Sequence, residues 1–321
     1  MYLVTGGAGF IGSHIVERLV SMGKSVRVFD NFSFGSKENL NGIGERVEIL
    51  SGDLLDLDAV QKAMEGVQVV FHQAALRSVP FSVEHPTLVN RVNVEGTLNV
   101  LTAARDAKAG RVVFASSSSV YGEEKKLPSS EQQLPKPISP YAVSKLAGEH
   151  YCNAFTKLYG LKTVSLRYFN VFGPRQDPNS EYAAVIPRFI LCALRGEPFQ
   201  VHGDGLQSRD FTYIDNVVDA NLLAAATREG VGGVFNVGQN RAYTLLDLID
   251  TLRSLLKTEL RWFHTEARSG DVRHTLADLS QSRRCLDYQP RISFEEGIVK
   301  TVKYFSRQME VEVGQSIQPG F

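Results

Sequence analysis

The chain has 321 residues, of which 43% are hydrophobic and 22% are charged, so it is long enough for one large core or two linked domains. Lys plus Arg and Asp plus Glu both total 35, and this balance favours neither nucleic acid nor an acidic membrane as a partner. No apolar run approaches the 18 residues of a membrane span and no signal peptide is recognisable, so we expect a cytoplasmic protein.

Short apolar runs alternate with helical patterns through the first half of the chain. The runs predict strands at 2–5, 25–30, 46–53, 67–74, 111–117 and 162–170. The patterns between them predict helices at 12–22, 56–65, 87–107 and 140–159. Most of the predicted strands are continuously apolar, which is typical of a parallel sheet covered on both faces. The sequence therefore predicts an α/β fold with a doubly wound parallel sheet of the Rossmann type.

The pattern changes after about residue 170, where Pro and Gly become more frequent. Two further strands are predicted at 210–214 and 233–238, and helices at 244–257 and 294–308. We expect a Rossmann domain over 1–172 and a smaller C-terminal α/β lobe over 173–321. Part of 210–240 is expected to return to the first sheet, and the last dozen residues are expected to form a loose tail.

Three cysteines, Cys152, Cys192 and Cys285, are widely spaced along the chain. An odd number at these distances gives neither a disulfide framework nor the spacing of a metal site. We therefore expect reduced, structural thiols and no bound metal.

A glycine-rich loop, VTGGAGFIGSHIVERLV, joins the first strand to the first helix. Gly6, Gly9 and Gly12 follow G-x-x-G-x-x-G, and Gly7 with the last two also satisfies G-x-G-x-x-G. Such glycines let a pyrophosphate approach the backbone at the start of the helix. Asp30 ends the second strand, where its carboxylate can accept from a ribose 2′-hydroxyl and would repel a 2′-phosphate. The loop therefore predicts a site for NAD rather than NADP.

Two Tyr-x-x-x-Lys spacings occur, at Tyr121 and Lys125 and at Tyr141 and Lys145. The first lies in a predicted loop, so its two side chains need not share a face. The second follows Pro140, a good first helical residue, and opens a helix on which residues four apart share one face. A tyrosine works as a base near neutral pH only where cations favour its phenolate. Lys145 and an oxidised nicotinamide ring are two such cations.

The motifs TGGAGFIG, SSSSVYG, YAVSK and RYFNVFGPR are together similar to the extended short-chain dehydrogenase/reductase family, over essentially the whole chain. Within it the sequence resembles UDP-hexose 4-epimerases, especially those acting on N-acetylhexosamines. The phrases that carry this are AALRSVPFS, RQDPNSEYAAVIPRF, GDGLQSRDFTYIDNV and RSGDVRHTLAD. The resemblance implies an isomerase that holds NAD tightly and passes through a 4-keto sugar.

The resemblance also implies residue roles. Catalysis would rest on Tyr141, Lys145 and Ser117, with Ser116 and Ser118 as alternatives for the hydroxyl. NAD would contact Gly6, Gly9, Phe10, Ile11, Gly12, Asp30, Asn31, Asp53, Leu54, Ala74, Ala75, Asn93, Tyr141, Lys145 and Tyr168. The UDP-sugar would contact Arg77, Ser78, Ser117, Ser118, Tyr141, Asn170, Ala184, Val185, Arg209, Arg268, Asp271 and Thr275.

Some roles in these sets are specific. Arg209 and Arg268 would clamp the diphosphate, since a guanidinium binds phosphate in a bidentate manner. Asp271 would hold the uridine ribose, and His202 could lie near the uracil, although an ordinary loop histidine is the simpler interpretation. Small Thr275 would leave room for an acetamido group at the sugar 2-position.

Alternative functions remain open at this point. A 4,6-dehydratase would need an Asp-Glu pair at the strand end, where this chain has serines. A UDP-glucuronate 4-epimerase, another enzyme of this family acting on a nucleotide sugar and a non-catalytic NAD-binding regulator are the other options. Relatives pair through two helices per chain, so a homodimer is expected through helices near 87–107 and 140–159.

Overall fold

The computed structural model describes residues 1–43, 46–123, 126–178, 184–266 and 272–316, with the backbone alone for 311–316. The strands are β1 (Tyr2–Thr5), β2 (Val26–Asp30), β3 (Val47–Ser51), β4 (Val69–His72), β5 (Arg111–Ser117), β6 (Thr163–Tyr168), β7 (Val171–Phe172), β8 (Phe199–His202), β9 (Ser208–Arg209), β10 (Thr212–Tyr213), β11 (Val234–Val237), β12 (Tyr243–Thr244) and β13 (Trp262–Thr265).

The helices that cover these strands are α1 (Phe10–Ser21), α2 (Leu57–Met64), α3 (Val79–Glu84), α4 (Pro86–Asn90), α5 (Gly96–Asp106), α6 (Pro140–Tyr159), α7 (Val185–Arg195), α8 (Ile214–Ala226), α9 (Leu245–Leu256), α10 (Ser280–Leu286) and α11 (Phe294–Ser316). Short 3-10 turns cover Lys37–Leu40 and Ser118–Tyr121, and a π-helical turn, Arg91–Glu95, joins α4 to α5.

One parallel sheet dominates the described residues. Its seven strands lie in the order β11-β6-β5-β4-β1-β2-β3. The order reverses beside β1, so the sheet is doubly wound and the Rossmann prediction is confirmed. Every residue of β5 and β6 is buried, because helices cover both faces. This burial explains the apolar run of Val112, Val113 and Phe114 in β5, although β6 also buries Thr163 and Arg167.

The C-terminal half contributes one strand to this sheet and otherwise forms short strand pairs. β11 lies at the sheet edge beside β6, with Val234 opposite Ser165. The pairs β7 with β10, β8 with β13 and β9 with β12 lie outside the large sheet. Among the described residues, no helix has the length and apolar character needed to cross a membrane.

The structure corrects three details of the sequence prediction. The strand expected at 210–214 is reduced to the two residues of β10, and α8 already begins at Ile214. The helix expected to stop near residue 308 continues to Ser316, so part of the segment expected to be a loose tail is helical, and the rest of it lies outside the described residues. The helix expected at 87–107 is α4, the π-helical turn and α5 in succession.

Helix α6 has strong local signals at both ends. The Ser139 side chain accepts a hydrogen bond from the amide of Ala142, and Pro140 occupies the first turn. Gly160 then ends the helix with φ of +71° in the left-handed region. These caps explain why the predicted range, 140–159, agrees with the structure.

The loop between β1 and α1 brings backbone segments into direct contact. Gly6 has φ of +66°, and a Cβ there would lie 2.7 Å from the amide nitrogen of Ala74. A Cβ on Gly12 would lie only 2.1 Å from the carbonyl oxygen of Gly6. Neither position has room for a side chain, because the obstructing atoms belong to the backbone.

Gly12→Ala should therefore lower the free energy of unfolding by about 1–3 kcal/mol, the usual cost of overpacking. Gly9→Ala is the matched control, since its Cβ would lie 3.2 Å from the same carbonyl oxygen and its φ is −79°. Chemical denaturation of both variants and the wild type measures the difference. Equal stability of Gly12→Ala and the wild type would contradict this description of the loop.

Candidate active site

A cavity of about 420 Å³ lies along the carboxyl ends of β1 to β5. Ligands bind at this edge in doubly wound sheets, because the strand order reverses there and opens a crevice. Of the residues predicted to contact NAD, the cavity is lined by Gly6, Gly9, Phe10, Ile11, Gly12, Asp30, Asn31, Asp53, Leu54, Ala74, Ala75, Tyr141, Lys145 and Tyr168. Arg77, predicted to contact the sugar, also lines it.

The glycine loop and α1 form the end of this cavity that suits a diphosphate. α1 begins after Gly9, and no side chain caps its first turn, so backbone N–H groups remain available there. The positive end of a 12-residue helix also favours an anion. A Cβ on Gly6 or Gly12 would obstruct the loop, so the residues present fit a dinucleotide.

Asp30 joins the glycine loop to the end of β2. Its Oδ2 accepts from the amide of Ala8 at 2.9 Å, and its Oδ1 accepts from the amide of Phe32 at 2.8 Å. The carboxylate is buried and lines the cavity. Nearby, the Asn31 amide donates to Asp53 Oδ2 at 3.0 Å, which links the ends of β2 and β3. The carboxylates of Asp30 and Asp53, at the ends of the adjacent strands β2 and β3, are suitably placed to accept hydrogen bonds from ribose hydroxyls.

Sequence reasoning missed part of the cavity wall. The missed residues include Ser33, Phe34, Gly35, Gln73, Phe81, Leu88 and Val92. The first three follow Asp30 closely, and proximity to that strand end could have indicated them. Phe81, Leu88 and Val92 come from α3, α4 and the π-helical turn, and nothing local in the sequence marks their inward faces.

Asn93 was predicted to contact NAD, but its side chain is committed to other parts of the chain. Its Oδ1 accepts from the Leu76 amide at 2.8 Å, while its Nδ2 donates to the Leu76 carbonyl at 2.9 Å and to Ser144 Oγ at 3.0 Å. Asn93 is buried and is not among the residues that line the cavity. It fixes the loop after β4 to helix α6, next to the turn that carries Tyr141.

Tyr141 and Lys145 both face the cavity from α6. The Lys145 ammonium donates to the Ala115 carbonyl at 2.8 Å and lies 5.9 Å from the centre of the Tyr141 ring. The Tyr141 hydroxyl forms a hydrogen bond with Ser117 at the end of β5. The structure thus brings together the three residues predicted to be catalytic.

The pKa of Tyr141 differs from the sequence expectation. Burial raises it, and the hydrogen bond to Ser117 and the charge of Arg77 oppose that rise only in part. Burial also lowers the pKa of Lys145 to about 8, although Cys152 and Glu149 act in the opposite direction. In the chain by itself desolvation is the largest effect on the Tyr141 pKa, and the expected lowering by Lys145 together with an oxidised nicotinamide ring stays a prediction.

The serines around Ser117 have other partners. Ser116 donates its hydroxyl proton to Glu149, and Ser118 opens the 3-10 turn with its side chain half-buried. Ser78, predicted to contact the sugar, caps α3 by accepting from the Phe81 amide at 3.1 Å. Tyr121 of the other Tyr-x-x-x-Lys spacing donates to Asn236, and Lys125 lies outside the described residues.

A second group of predicted residues meets beyond β6. Thr275 donates to Asn170 Oδ1 at 3.3 Å and accepts from the Asp210 amide at 3.2 Å. Arg209 is buried, and its Nη1 donates to the carbonyls of Ser208 and Arg273. Asn170 is two residues past Tyr168, which pairs with Ser117, so this group lies at the same sheet edge as the residues predicted to be catalytic.

Asp210 holds this second group in place. Its carboxylate accepts from the amides of Gln239, Asn240 and Ala277 at 2.6, 3.0 and 3.1 Å. Burial raises the pKa of Asp210 to about 6, while these amides lower it. One fully buried carboxylate therefore ties the segment before β10 to two loops, one of which carries Thr275.

Several predicted contacts cannot be placed in this geometry. Arg268 and Asp271 lie outside the described residues. Ala184 and Val185 start α7 directly after an undescribed segment. His202 Nδ1 hydrogen-bonds Thr265 Oγ1 at 2.8 Å between β8 and β13, which supports the simpler interpretation of a structural histidine.

Comparison with known proteins identifies the family. The model of the NAD dependent epimerase/dehydratase family matches residues 2–238. A UDP-glucose 4-epimerase of Mycolicibacterium smegmatis is 38% identical over 96% of this chain and 99% of its own.

Solved structures agree with this match. The UDP-N-acetylglucosamine 4-epimerase of Methanobrevibacter ruminantium M1, solved with UDP-N-acetylmuramic acid, is 42% identical with a TM-score of 0.92, covering 96% of this chain and 98% of that one. The UDP-glucose 4-epimerase of Thermotoga maritima with UDP-glucose is 38% identical with a TM-score of 0.92, covering 96% and 99%. The family model spans the glycine loop, the residues predicted to be catalytic and the strand that returns to the sheet, so the chain belongs to the NAD dependent epimerase/dehydratase family.

Proposed function

We propose that this protein interconverts UDP-hexoses that differ at C4, namely UDP-GlcNAc with UDP-GalNAc and UDP-glucose with UDP-galactose. The observation that carries the proposal is the Tyr141 phenol, hydrogen-bonded to Ser117 and next to buried Lys145, at the wall of the glycine-loop cavity. Relatives named for both activities, at 38–42% identity, support the same substrates.

The chain would supply acid–base chemistry and alignment. Tyr141 takes the proton of the sugar 4-hydroxyl, and Ser117 holds that oxygen from the strand end. Lys145, anchored on the Ala115 carbonyl, adds positive charge beside the phenol. Held by the glycine loop and Asp30, NAD⁺ would supply a reversible hydride acceptor for C4 and a further positive charge near the phenol. A 4-keto sugar that turns over before the return would explain inversion at C4.

The second group of residues would bind the nucleotide end of the substrate. We assign the diphosphate to Asn170, Arg209 and Arg268, and the uridine ribose to Asp271. Residues 173–321 would thus be mainly a substrate lobe, while 1–172 binds NAD. Arg77, Ser78, Ala184 and Val185 would surround the hexose, with Ser78 acting through its cap on α3.

UDP-glucuronate is the second candidate substrate. The observation that favours it is the exposed Arg77, whose guanidinium lines the cavity close enough to lower the pKa of Tyr141. A cation there could pair with a uronate carboxylate. The serines before Tyr121, by contrast, offer no acidic pair for a dehydratase.

Incubation with UDP-Glc, UDP-GlcNAc and UDP-GlcA, followed by chromatography of each product, tests the proposal. We expect UDP-GalNAc from UDP-GlcNAc. Tyr141→Phe should reduce turnover by at least about 100-fold, the contribution of a positioned acid–base group, while bound NAD persists. Tyr159→Phe, an exposed tyrosine on the same helix, is the matched control. Bound NAD without turnover of any nucleotide sugar by the wild type would instead favour a regulator.

The second test asks whether Thr275 leaves room for the substituent at C2 of the hexose. Thr275 is small and half-exposed beside Asn170, so an acetamido group should fit against it. Thr275→Tyr should reduce kcat/KM for UDP-GlcNAc by at least about tenfold more than for UDP-Glc, because only the larger sugar meets the ring. Thr275→Ser controls for the hydroxyl. Equal losses on both sugars would contradict the role of Thr275.

We propose a homodimer formed through α4 and α6, in which the exposed side chains of Val143, Tyr151 and Leu158 on α6 meet the partner subunit. Exposed apolar side chains on packed helices favour association. Light scattering should give twice the chain mass of 35.5 kDa. Leu158→Glu should shift the mass toward the monomer, whereas Leu134→Glu, equally exposed but outside these helices, should not. A monomeric wild type would overturn the proposal.

A further inference from the structure

Glu149 continues the stripe of Tyr141 and Lys145 along α6, since the three residues are spaced four apart on one face. The proposed chemistry uses the first two and leaves the third without a role. The Glu149 side chain is 4% exposed, as is that of Arg167 on β6, with which it pairs. A buried ion pair stabilises a fold only weakly, because desolvation offsets the attraction. Its position next to the catalytic residues therefore calls for another explanation.

Glu149 contacts two of the strands under the active site. Arg167 donates to it from Nε at 2.9 Å and from Nη2 at 2.7 Å, in bidentate geometry. The Ser116 hydroxyl also donates to the carboxylate. Ser116 lies between Ala115, whose carbonyl accepts from Lys145, and Ser117, which hydrogen-bonds the phenol. The carboxylate thus fixes the strand segment that holds both catalytic partners.

The arginine is itself held from the side away from α6. Its guanidinium lies 4.7 Å from the centre of the Tyr121 ring, and Tyr121 donates to Asn236 of β11 at 2.7 Å. Arg167 is thus held by its own strand, by the Tyr121 ring and by the Glu149 carboxylate, which together fix the orientation of its guanidinium. Glu149 is therefore aligned by a rigid set of contacts that reaches the edge of the sheet.

The charges around Lys145 come from several elements. Tyr141, Cys152 and Glu149 face it from α6, and His72 faces it from β4. Burial lowers the pKa of His72 to about 3 and raises that of Cys152 to about 12, so both are neutral near pH 7. Glu149 is the anion in this group. It offsets the cost of burying a protonated lysine.

We infer that Glu149 is a positioning residue for the catalytic pair, holding the Ser116–Ser117 strand end and keeping Lys145 protonated. The inference rests on the proposed epimerase function. Glu149 does not touch the sugar or the dinucleotide in this scheme. It acts through Ser116 and through the charge of Lys145, and Arg167 aligns it.

Glu149→Gln keeps the size of the side chain and removes the charge. Loss of the anion should lower the pKa of Lys145 by about one unit, the usual effect of a nearby opposite charge. The decline of kcat at alkaline pH should therefore begin about one pH unit lower than in the wild type. KM for the UDP-sugar should stay within about threefold, and bound NAD should persist, because neither binding group is altered.

Two further variants separate charge from contact. Glu149→Asp keeps the charge and shortens the reach, so its alkaline decline should stay near that of the wild type while kcat falls. Ser116→Ala removes the strand anchor without changing any charge, and should lower kcat with no shift in the pH profile. A purely structural role predicts that the pH profile moves in none of these variants.

Glu149→Gln could destabilise the fold by leaving Arg167 buried without its anion. The double variant Glu149→Met with Arg167→Met avoids this, because paired apolar replacements of buried ion pairs usually recover stability. It should unfold near the wild-type temperature and still show the shifted alkaline decline. Recovery of both the stability and the wild-type pH profile would overturn the inference.

Failure of the inference and failure of the proposed function are distinguishable. Suppose that the wild type turns over UDP-sugars and that Glu149→Gln has the same pH profile as the wild type. This outcome contradicts the role inferred for Glu149 and leaves the proposed function intact. If the wild type turns over no UDP-sugar, the proposed function fails, and NMR titration of lysine labelled at Cε, assigned with Lys145→Arg, tests Glu149 without turnover. If Glu149→Gln does not lower the titration midpoint of Lys145, then Glu149 does not keep Lys145 protonated and the inference is contradicted.

Discussion

The close packing of α6 against β5 is the constraint on which the site depends. A Cβ on Gly148 would lie 2.3 Å from the Phe114 ring, so the helix approaches the strand only because this residue has no side chain. At that separation the Lys145 ammonium reaches the Ala115 carbonyl at 2.8 Å. The same approach brings Tyr141 to Ser117. If residue 148 carried even a methyl group, α6 would move away from β5 and these contacts could not form together.

Two anchors with different chemistry organise the two sides of the site. On the cofactor side, Asn93 ties the loop after β4 to α6 with three neutral hydrogen bonds. On the other side, the Asp210 carboxylate collects amides from two loops that are distant in sequence. A buried carboxylate without these donors would be costly, so the loops and the aspartate stabilise each other. Both anchors place residues that the sequence analysis had treated as independent contacts.

The parts of the fold predicted from sequence are those with local signals. β1, the glycine loop and α1 form one continuous pattern, and the caps at Ser139 and Gly160 mark α6. Helices α3 and α10 were missed because they are short, and α7 because it contains Pro187. Helix α8 was missed because it buries residues around most of its circumference, so its apolar periodicity is weak. Asn93 was assigned to the cofactor by resemblance, yet its hydrogen-bond partners are 17 and 51 residues distant along the chain. Such long-range partners, like the pair of Glu149 and Arg167, leave no spacing pattern for sequence reasoning to detect.

The acid–base behaviour of Tyr141 follows from burial more than from its neighbours. Burial raises the pKa of Tyr141 despite the hydrogen bond with Ser117 and the charge of Arg77. The Lys145 ammonium donates a hydrogen bond to the Ala115 carbonyl, and burial lowers the pKa of Lys145 to about 8. The phenol is therefore protonated near neutral pH until further positive charge enters the cavity. In the proposed reaction an oxidised dinucleotide would supply that charge, so the Tyr141 phenolate would be favoured when the sugar proton is removed, and the neutral phenol would be favoured once the positive charge is lost. Under the proposed function, proton transfer would therefore be coupled to the oxidation state of the dinucleotide through electrostatics, with Lys145 as the cation that the chain itself supplies beside the phenol.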